Sequence, residues 1–399
     1  MRITIASILT MIIFFGCGRG NKAEFPTGDC ITVDATKINL DNNILLSMSD
    51  FVDKVDIIPL EFNKDCILSE IRKIVIHNNN LFLIESGGPK TIYRFDTQGN
   101  FLNKIGSHGQ GPQEFIELFD FSLNENDQIV YLLDNAKQAI LCFDFDGQFI
   151  ERIRINQYAS RLEYKDGLFY LFSDNPPVGD DLYNLTVRNM KGEIEKMYFA
   201  SKGYSRGFSR NTFTKTQDNL FFKQPMSDTI CSLDETSLKN AFFFDFGSYR
   251  FTSDEIEELY LGKIRTQQLL LNKERLSGID NFFNVGKWIY FNSTYKVLSF
   301  SFLYNTNSQE LKVAAGIQDD VEYLFYNNKF YGQTQDAFIG VYDVNYLISN
   351  IDRFSKHEKE KIISSDKKEE QEKKIKDIMR GNNPEEMNPW VILYYLKQD

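Results

Sequence analysis

Apolar and polar positions alternate with a period of two in short runs along most of this chain, and turns rich in Gly, Asn and Asp separate the runs. That pattern predicts half-buried β-strands rather than helices. One phrase recurs. Tyr93-Arg-Phe-Asp-Thr-Gln-Gly-Asn-Phe-Leu-Asn-Lys-Ile105 returns as Leu141-Cys-Phe-Asp-Phe-Asp-Gly-Gln-Phe-Ile-Glu-Arg-Ile153. A weaker copy runs Leu185-Thr-Val-Arg-Asn-Met-Lys-Gly-Glu-Ile-Glu-Lys-Met197. Each copy is a strand, a polar turn on Gly99, Gly147 or Gly192, and a second alternating strand. The turns repeat every 45 to 50 residues or so, the period of β-propeller blades with four short strands each. The expected fold is all-β, a six-bladed propeller of four-stranded antiparallel blades. The units expected are 71–105, 115–155, 161–200, 208–247, 281–313, and a last one from Val321. That last unit uses Glu322 to Tyr326, Lys329 to Gly332 and Ala337 to Tyr342 as successive strands.

Two segments break the period of two. Ser253 to Leu276 places Ile256, Leu259, Tyr260, Ile264 and Leu269 on one helical stripe, with Ser253 read as the N-cap, so a helical insertion is expected there. Residues 354–380 interleave Lys and Glu and read as one or two solvated helices. The final apolar run, Trp390 to Leu396, reads as a strand, as does Val55 to Leu60, where Pro59 favours an edge. A propeller left open would expose unpaired strand edges. The two terminal strands are therefore expected to complete one blade.

The N-terminus changes the picture of where the chain works. Arg2 precedes an apolar run from Ile3 to Phe15, too short to span a bilayer as a helix, and Phe14-Phe15-Gly16-Cys17 follows. This resembles a bacterial lipoprotein signal, although Phe14 stands where Leu is usual. The organisation expected is a signal peptide over 1–16, a tether over 17–45 beginning at a lipidated Cys17, and the propeller over 46–399. Several acyl chains on Cys17 would anchor the chain to a membrane. Of the other cysteines, Cys30 falls in the tether, Cys66 in a turn, and Cys142 and Cys231 in strands; no Cys or His spacing indicates zinc, and no cofactor is expected. The net charge of −11 argues against a nucleic-acid surface, which needs a basic footprint.

The loop Ile105-Gly-Ser-His-Gly-Gln-Gly-Pro-Gln-Glu-Phe115, between Arg94-Phe-Asp-Thr-Gln-Gly and Tyr131-Leu-Leu-Asp134, resembles the repeat of NHL-type propellers. The opening Ile57-Ile-Pro-Leu-Glu61 and the closing Asn388-Pro-Trp-Val-Ile-Leu-Tyr-Tyr-Leu-Lys397 extend the likeness. With them, most of residues 40–399 resemble the six-bladed propeller lipoproteins of Gram-negative anaerobes. The resemblance implies an exported outer-membrane lipoprotein. It brings no activity and no catalytic residues.

Chemistry is sparsely marked. Gly106-x-x-Gly109-x-Gly111 is not a phosphate loop, because Pro112 and a strand follow rather than a helix N-terminus. Histidine is limited to His77, His108 and His357. Topology is more informative. The segments that cross from an outer strand to the next inner strand all leave on one face. Those segments are Gly106 to Glu114, Asn156 to Ser160, Ser201 to Asn211 and Gly247 to Asp280. Within and beside them, His108, Gln110, Glu114, Arg161, Tyr204, Arg206, Phe208 and Arg210 are the expected ligand-binding residues, since Arg pairs with carboxylates and aromatic faces stack on sugars. The function expected is a non-catalytic, monomeric envelope propeller that binds an anionic glycan or an envelope protein at the channel mouth. The alternatives are a carbohydrate-active lyase or hydrolase using that pocket, and a scaffold subunit of an envelope complex.

Overall fold

The structure is a computed structural model that describes residues 26, 28, 30–86, 91–174, 183–200, 211–234, 237–322, 330–344, 365–379 and 386–398. Six four-stranded antiparallel units form the propeller, with one of them extended by a fifth, parallel strand. Numbered from the first complete unit, the inner strands are Ile71–His77, Leu118–Asn124, Arg161–Lys165, Phe213–Lys215, Asp280–Val285 and Phe330–Gln333 for blades 1 to 6. The middle strands are apolar on both faces because sheets cover them on both sides, as in Leu168–Phe172 and Ala139–Asp144. The outer strands alternate, as in Phe101–Ile105.

Six apolar clusters fill the spaces between successive blades. Phe82, Phe121 and Leu132 join blades 1 and 2. Tyr131, Leu133 and Phe169 join 2 and 3. Phe172, Leu185 and Phe222 join 3 and 4. Phe244, Phe291 and Phe302 join 4 and 5, and Tyr290, Phe338 and Trp390 join 5 and 6. Ile58, Ile339 and Val391 meet Ile74, Leu83 and Phe95 to close blade 6 on blade 1. Each interface buries several large side chains, at roughly 1.5–3 kcal/mol apiece.

Blade 6 is built from both ends of the chain. Phe330–Gln333 pairs with Ala337–Tyr342, which pairs with Trp390–Leu396, which pairs in turn with Val52–Pro59 as the outer strand. The assignment made from the sequence is shifted here. Phe330 to Gln333 is the inner strand and not the second one, and all of Glu322 to Tyr326 beyond Glu322 itself lies outside the described residues. The N-terminal segment read as a tether up to residue 45 also departs from expectation. Ile31–Asp34 adds a parallel strand to the outer edge of blade 4, and Leu45–Ser47 pairs with Gly316–Gln318 beside blade 5. These strands are too short to show a period of their own; a partner's open backbone edge selects them.

The helical insertion lies in the crossover from blade 4 to blade 5, but as two helices, α1 (Ser253–Tyr260) and α2 (Thr266–Asn272). The cap is Thr252 rather than Ser253: its hydroxyl accepts from the Glu255 amide while the Glu255 carboxylate accepts from the Thr252 amide. Leu259 and Leu269 of the expected stripe are buried. The charged segment contributes α3 (Ser365–Met379), inserted between the second and third strands of blade 6. One face of α3 is not solvated, since Gln371 and Ile375 are fully buried. Among the described residues Cys30, Cys66, Cys142 and Cys231 are free thiols, and burial pushes Cys142 and Cys231 up to about 12.

Candidate functional site

Every inner strand starts where a crossover delivers the chain and ends at a hairpin. The first residues of the inner strands therefore ring one mouth of the central channel, and the last residues ring the other. All six inner strands line a channel of about 940 Å³, within the size of ligand sites.

The crossover-side mouth is charged. Arg72, second in its strand, donates to the Phe119 carbonyl of blade 2. Its Nε is buried without a hydrogen-bond partner. Burial holds its pKa below the ordinary guanidinium value; nearby Asp120 opposes that shift and Arg161 adds to it. Arg161 begins the inner strand of blade 3, is buried, and donates to the Ser160 carbonyl at 2.6 Å. Asp120 lies on the intervening strand of blade 2. Its carboxylate accepts from Lys73 Nζ at 3.0 Å, from its neighbour's amide at Phe121 and from the Leu162 amide, both at 2.9 Å. Asp120 thus ties blades 1, 2 and 3 together and is occupied by neutral amides and one lysine. The two guanidiniums stand on either side of it.

Behind Arg161 the charge pattern continues inward. Lys223 is only 1% exposed and reaches Asp280 at 3.5 Å. Burial lowers its pKa and Asp280 works against that. Asp174 is buried, and burial raises its pKa against the pull of Arg161 and a Ser160 hydrogen bond. Among the described residues, no group of three His, Cys, Asp or Glu side chains is placed to hold a metal ion.

Of the residues expected from sequence, Arg161 lines the channel, and His108, Gln110 and Glu114 do not. Their loop folds on itself. The Glu114 carboxylate accepts from the Gly111 amide at 2.7 Å, while Lys137 donates to the carbonyls of Gly111 and Glu114. A Cβ on Gly109 would sit 2.0 Å from that carboxylate, so a side chain there would displace the Glu114 carboxylate from its loop. His108 stacks edge-on to buried Phe115. Tyr204, Arg206, Phe208 and Arg210, like Cys17, lie outside the described residues. Arg72, Lys73, Asp120 and Lys223 were not singled out from the sequence. A signal for them existed, because each is a charged residue inside or beside a run that is otherwise apolar.

Residues 30–395 match a family described as Domain of unknown function (DUF4934). No curated protein matches the chain. Among solved structures, a candidate exported protein of Bacteroides fragilis is 17% identical, with a TM-score of 0.71, over 93% of this chain and 100% of that one. A member of the DUF4221 family from Bacteroides vulgatus is 11% identical, with a TM-score of 0.45, over 73% of this chain and 91% of that one. The first of these likenesses shows the fold.

Proposed function

We propose a binding role for this chain, which belongs to the DUF4934 family: an exported propeller, anchored in the outer membrane through lipidated Cys17, that holds an anionic glycan at the crossover-side mouth and performs no chemistry on it. The observation that carries the reading is the placement of Arg72 and Arg161 on either side of Asp120, whose oxygens are already taken by Lys73 and two amides. Two guanidiniums brought to one mouth form a positive pair suited to a carboxylate from outside. Below it the wall offers Ser122, Asn281 and Gln333, groups that can bond to sugar hydroxyls. Tyr204, Arg206, Phe208 and Arg210, on the segment that joins blades 3 and 4, belong to the same proposal as stacking and pairing groups.

Titration calorimetry of the full chain in detergent, with oligogalacturonates and neutral malto-oligosaccharides, tests this. Binding of the acidic set alone is expected, with at least a tenfold loss in Arg161→Ala and partial recovery in Arg161→Lys. Equal binding by Arg161→Ala, or no binding of any acidic sugar, overturns it. Newly formed chain ends in the same mixture would favour the lyase or hydrolase reading. Incorporation of labelled palmitate that disappears in Cys17→Ala tests the anchor.

A further inference from the structure

We infer that the crossover side of blades 4 and 5 docks on an anionic bilayer surface, through the aliphatic tips of the helical insertion and of the hairpin beside it. The inference rests on the Cys17 anchor of the reading above, and on a part of the molecule away from the channel for its geometry. The second and third strands of blade 5, Trp288–Tyr295 and Leu298–Asn305, pair along their whole length and meet in the two-residue turn Lys296-Val297. Lys296 has φ of 56°, a conformation for which such turns favour Gly or Asn. Val297 is 72% exposed, and Leu298 is exposed beside it. Neither Val nor Leu is a turn former, so local structure gives no reason for this tip.

The insertion stands against that hairpin. Lys296 pairs at 2.9 Å with Glu274, just beyond α2, and Tyr295 bridges to Leu276. Glu255 of α1 pairs with Arg275 at 3.0 Å, so the start of α1 and the end of α2 meet, and the link between the helices forms a second tip. Leu261 on that link is 57% exposed, and Leu271 of α2 is exposed although Leu269 and Leu270 are buried. From Leu261 to Lys273 the only charged residues are Lys263, Arg265 and Lys273, all exposed, in a chain of net charge −11. The exposed carboxylates Asp254, Glu257 and Glu258 are confined to α1. Exposed aliphatic side chains with basic neighbours suit the boundary between acyl chains and anionic headgroups. The path from the anchor leads to the same corner. Ile31–Asp34 lies on blade 4, and Ile38 and Leu40 pack on the cluster between blades 4 and 5 that Tyr249 and Tyr295 also touch. From Cys17 to Cys30 the chain spans at most about 45 Å. An anchored propeller therefore keeps this corner within reach of the bilayer.

Tryptophan depth tests this, since the chain has only Trp288 and Trp390 of its own. Full chain is anchored in vesicles of phosphatidylcholine and phosphatidylglycerol in equal parts, with ordinary or brominated acyl chains. Bromolipid is expected to quench the added emission of Val297→Trp at least twofold. It should leave that of Leu102→Trp, on the exposed outer strand of blade 1, unchanged. Lys263→Glu combined with Arg265→Glu should lower the quenching of Val297→Trp at least twofold, as should vesicles of phosphatidylcholine alone. Equal quenching at the two positions overturns the inference and leaves the anchor intact. So does a Val297→Trp emission that is blue-shifted but unquenched, which would mean that a second copy or another protein covers the hairpin. Full chain that floats with neither kind of vesicle overturns both.

Discussion

Gly99, Gly147 and Gly192 have φ of 86°, 87° and 80°, in the left-handed region that glycine tolerates best. Their second role emerges only in three dimensions. A Cβ on Gly99 would lie 2.0 Å from the carbonyl oxygen of Pro59, one on Gly147 2.8 Å from that of Lys104, and one on Gly192 2.2 Å from that of Arg154. Each of those carbonyls belongs to the outer strand of the preceding blade. The recurring glycine is thus a contact between blades as well as a turn. Arg94 reinforces the same seam, donating to the Phe145 carbonyl and to Asp146, both at 2.9 Å. Gly167 separates the two roles, since it has φ of 80° and nothing within 4 Å of a built Cβ. Gly167→Ala should cost about 1–2 kcal/mol, the backbone term alone. Gly99→Ala should cost roughly 3 kcal/mol or more, because the neighbouring blade must also move. Urea unfolding of the two variants measures the difference; equal losses would show that the interblade contact is immaterial.

At the scale of elements, Trp390–Leu396 is the decisive strand. It pairs on both sides, with Ala337–Tyr342 and Val52–Pro59, and Trp390, Val391, Ile392 and Tyr394 are fully buried. Truncation before Trp390 removes two ladders and two interblade clusters at once, so no cooperative thermal transition should remain by circular dichroism. Removal of residues 1–47 deletes the added strands Ile31–Asp34 and Leu45–Ser47 but keeps Val52–Pro59. That variant should still melt cooperatively, at a lower temperature. A folded C-terminal truncation would refute the clasp. The strand pattern announced that clasp, because both terminal runs are strongly apolar and a ring needs closure. The N-terminal strap was not legible: Ile31–Asp34 is a four-residue strand with Ile31 half-exposed, and only the parallel edge of blade 4 gives it a reason to form.

Across the whole molecule, the crossover face carries the long connections, including the one holding α1 and α2, while the opposite face carries short hairpins such as 77–80, 125–128 and 165–168. Variation is concentrated where connections do not have to keep two adjacent strands in register. The overall charge is −11, yet the mouth on that face presents Arg72 and Arg161. On the proposed function, an approaching polyanion is repelled at long range by the net charge and held at short range by these two arginines. The Debye length falls from about 30 Å at 0.01 M salt to about 8 Å at 0.15 M. Association with oligogalacturonate should accordingly quicken over that range while dissociation quickens too, and stopped-flow rates report both. Association that slows steadily with salt would place a net attractive field over the mouth.

The sequence by itself determined the blade, its repeat, the closure by terminal strands and the side of the propeller on which crossovers emerge. All of these follow from local alternation and chain connectivity. It also named Arg161, which lines the channel. Tertiary structure alone decided that Arg72 and Asp120 join Arg161 at one mouth, that Glu114 serves its own loop, and that Lys215 reaches Glu125 and Glu163 of two other blades. Arg72, Asp120, Arg161 and Lys215 come from four different blades. No local period connects them, because their proximity is set by the closing of the ring, and that closing depends on six interblade cores rather than on any single segment.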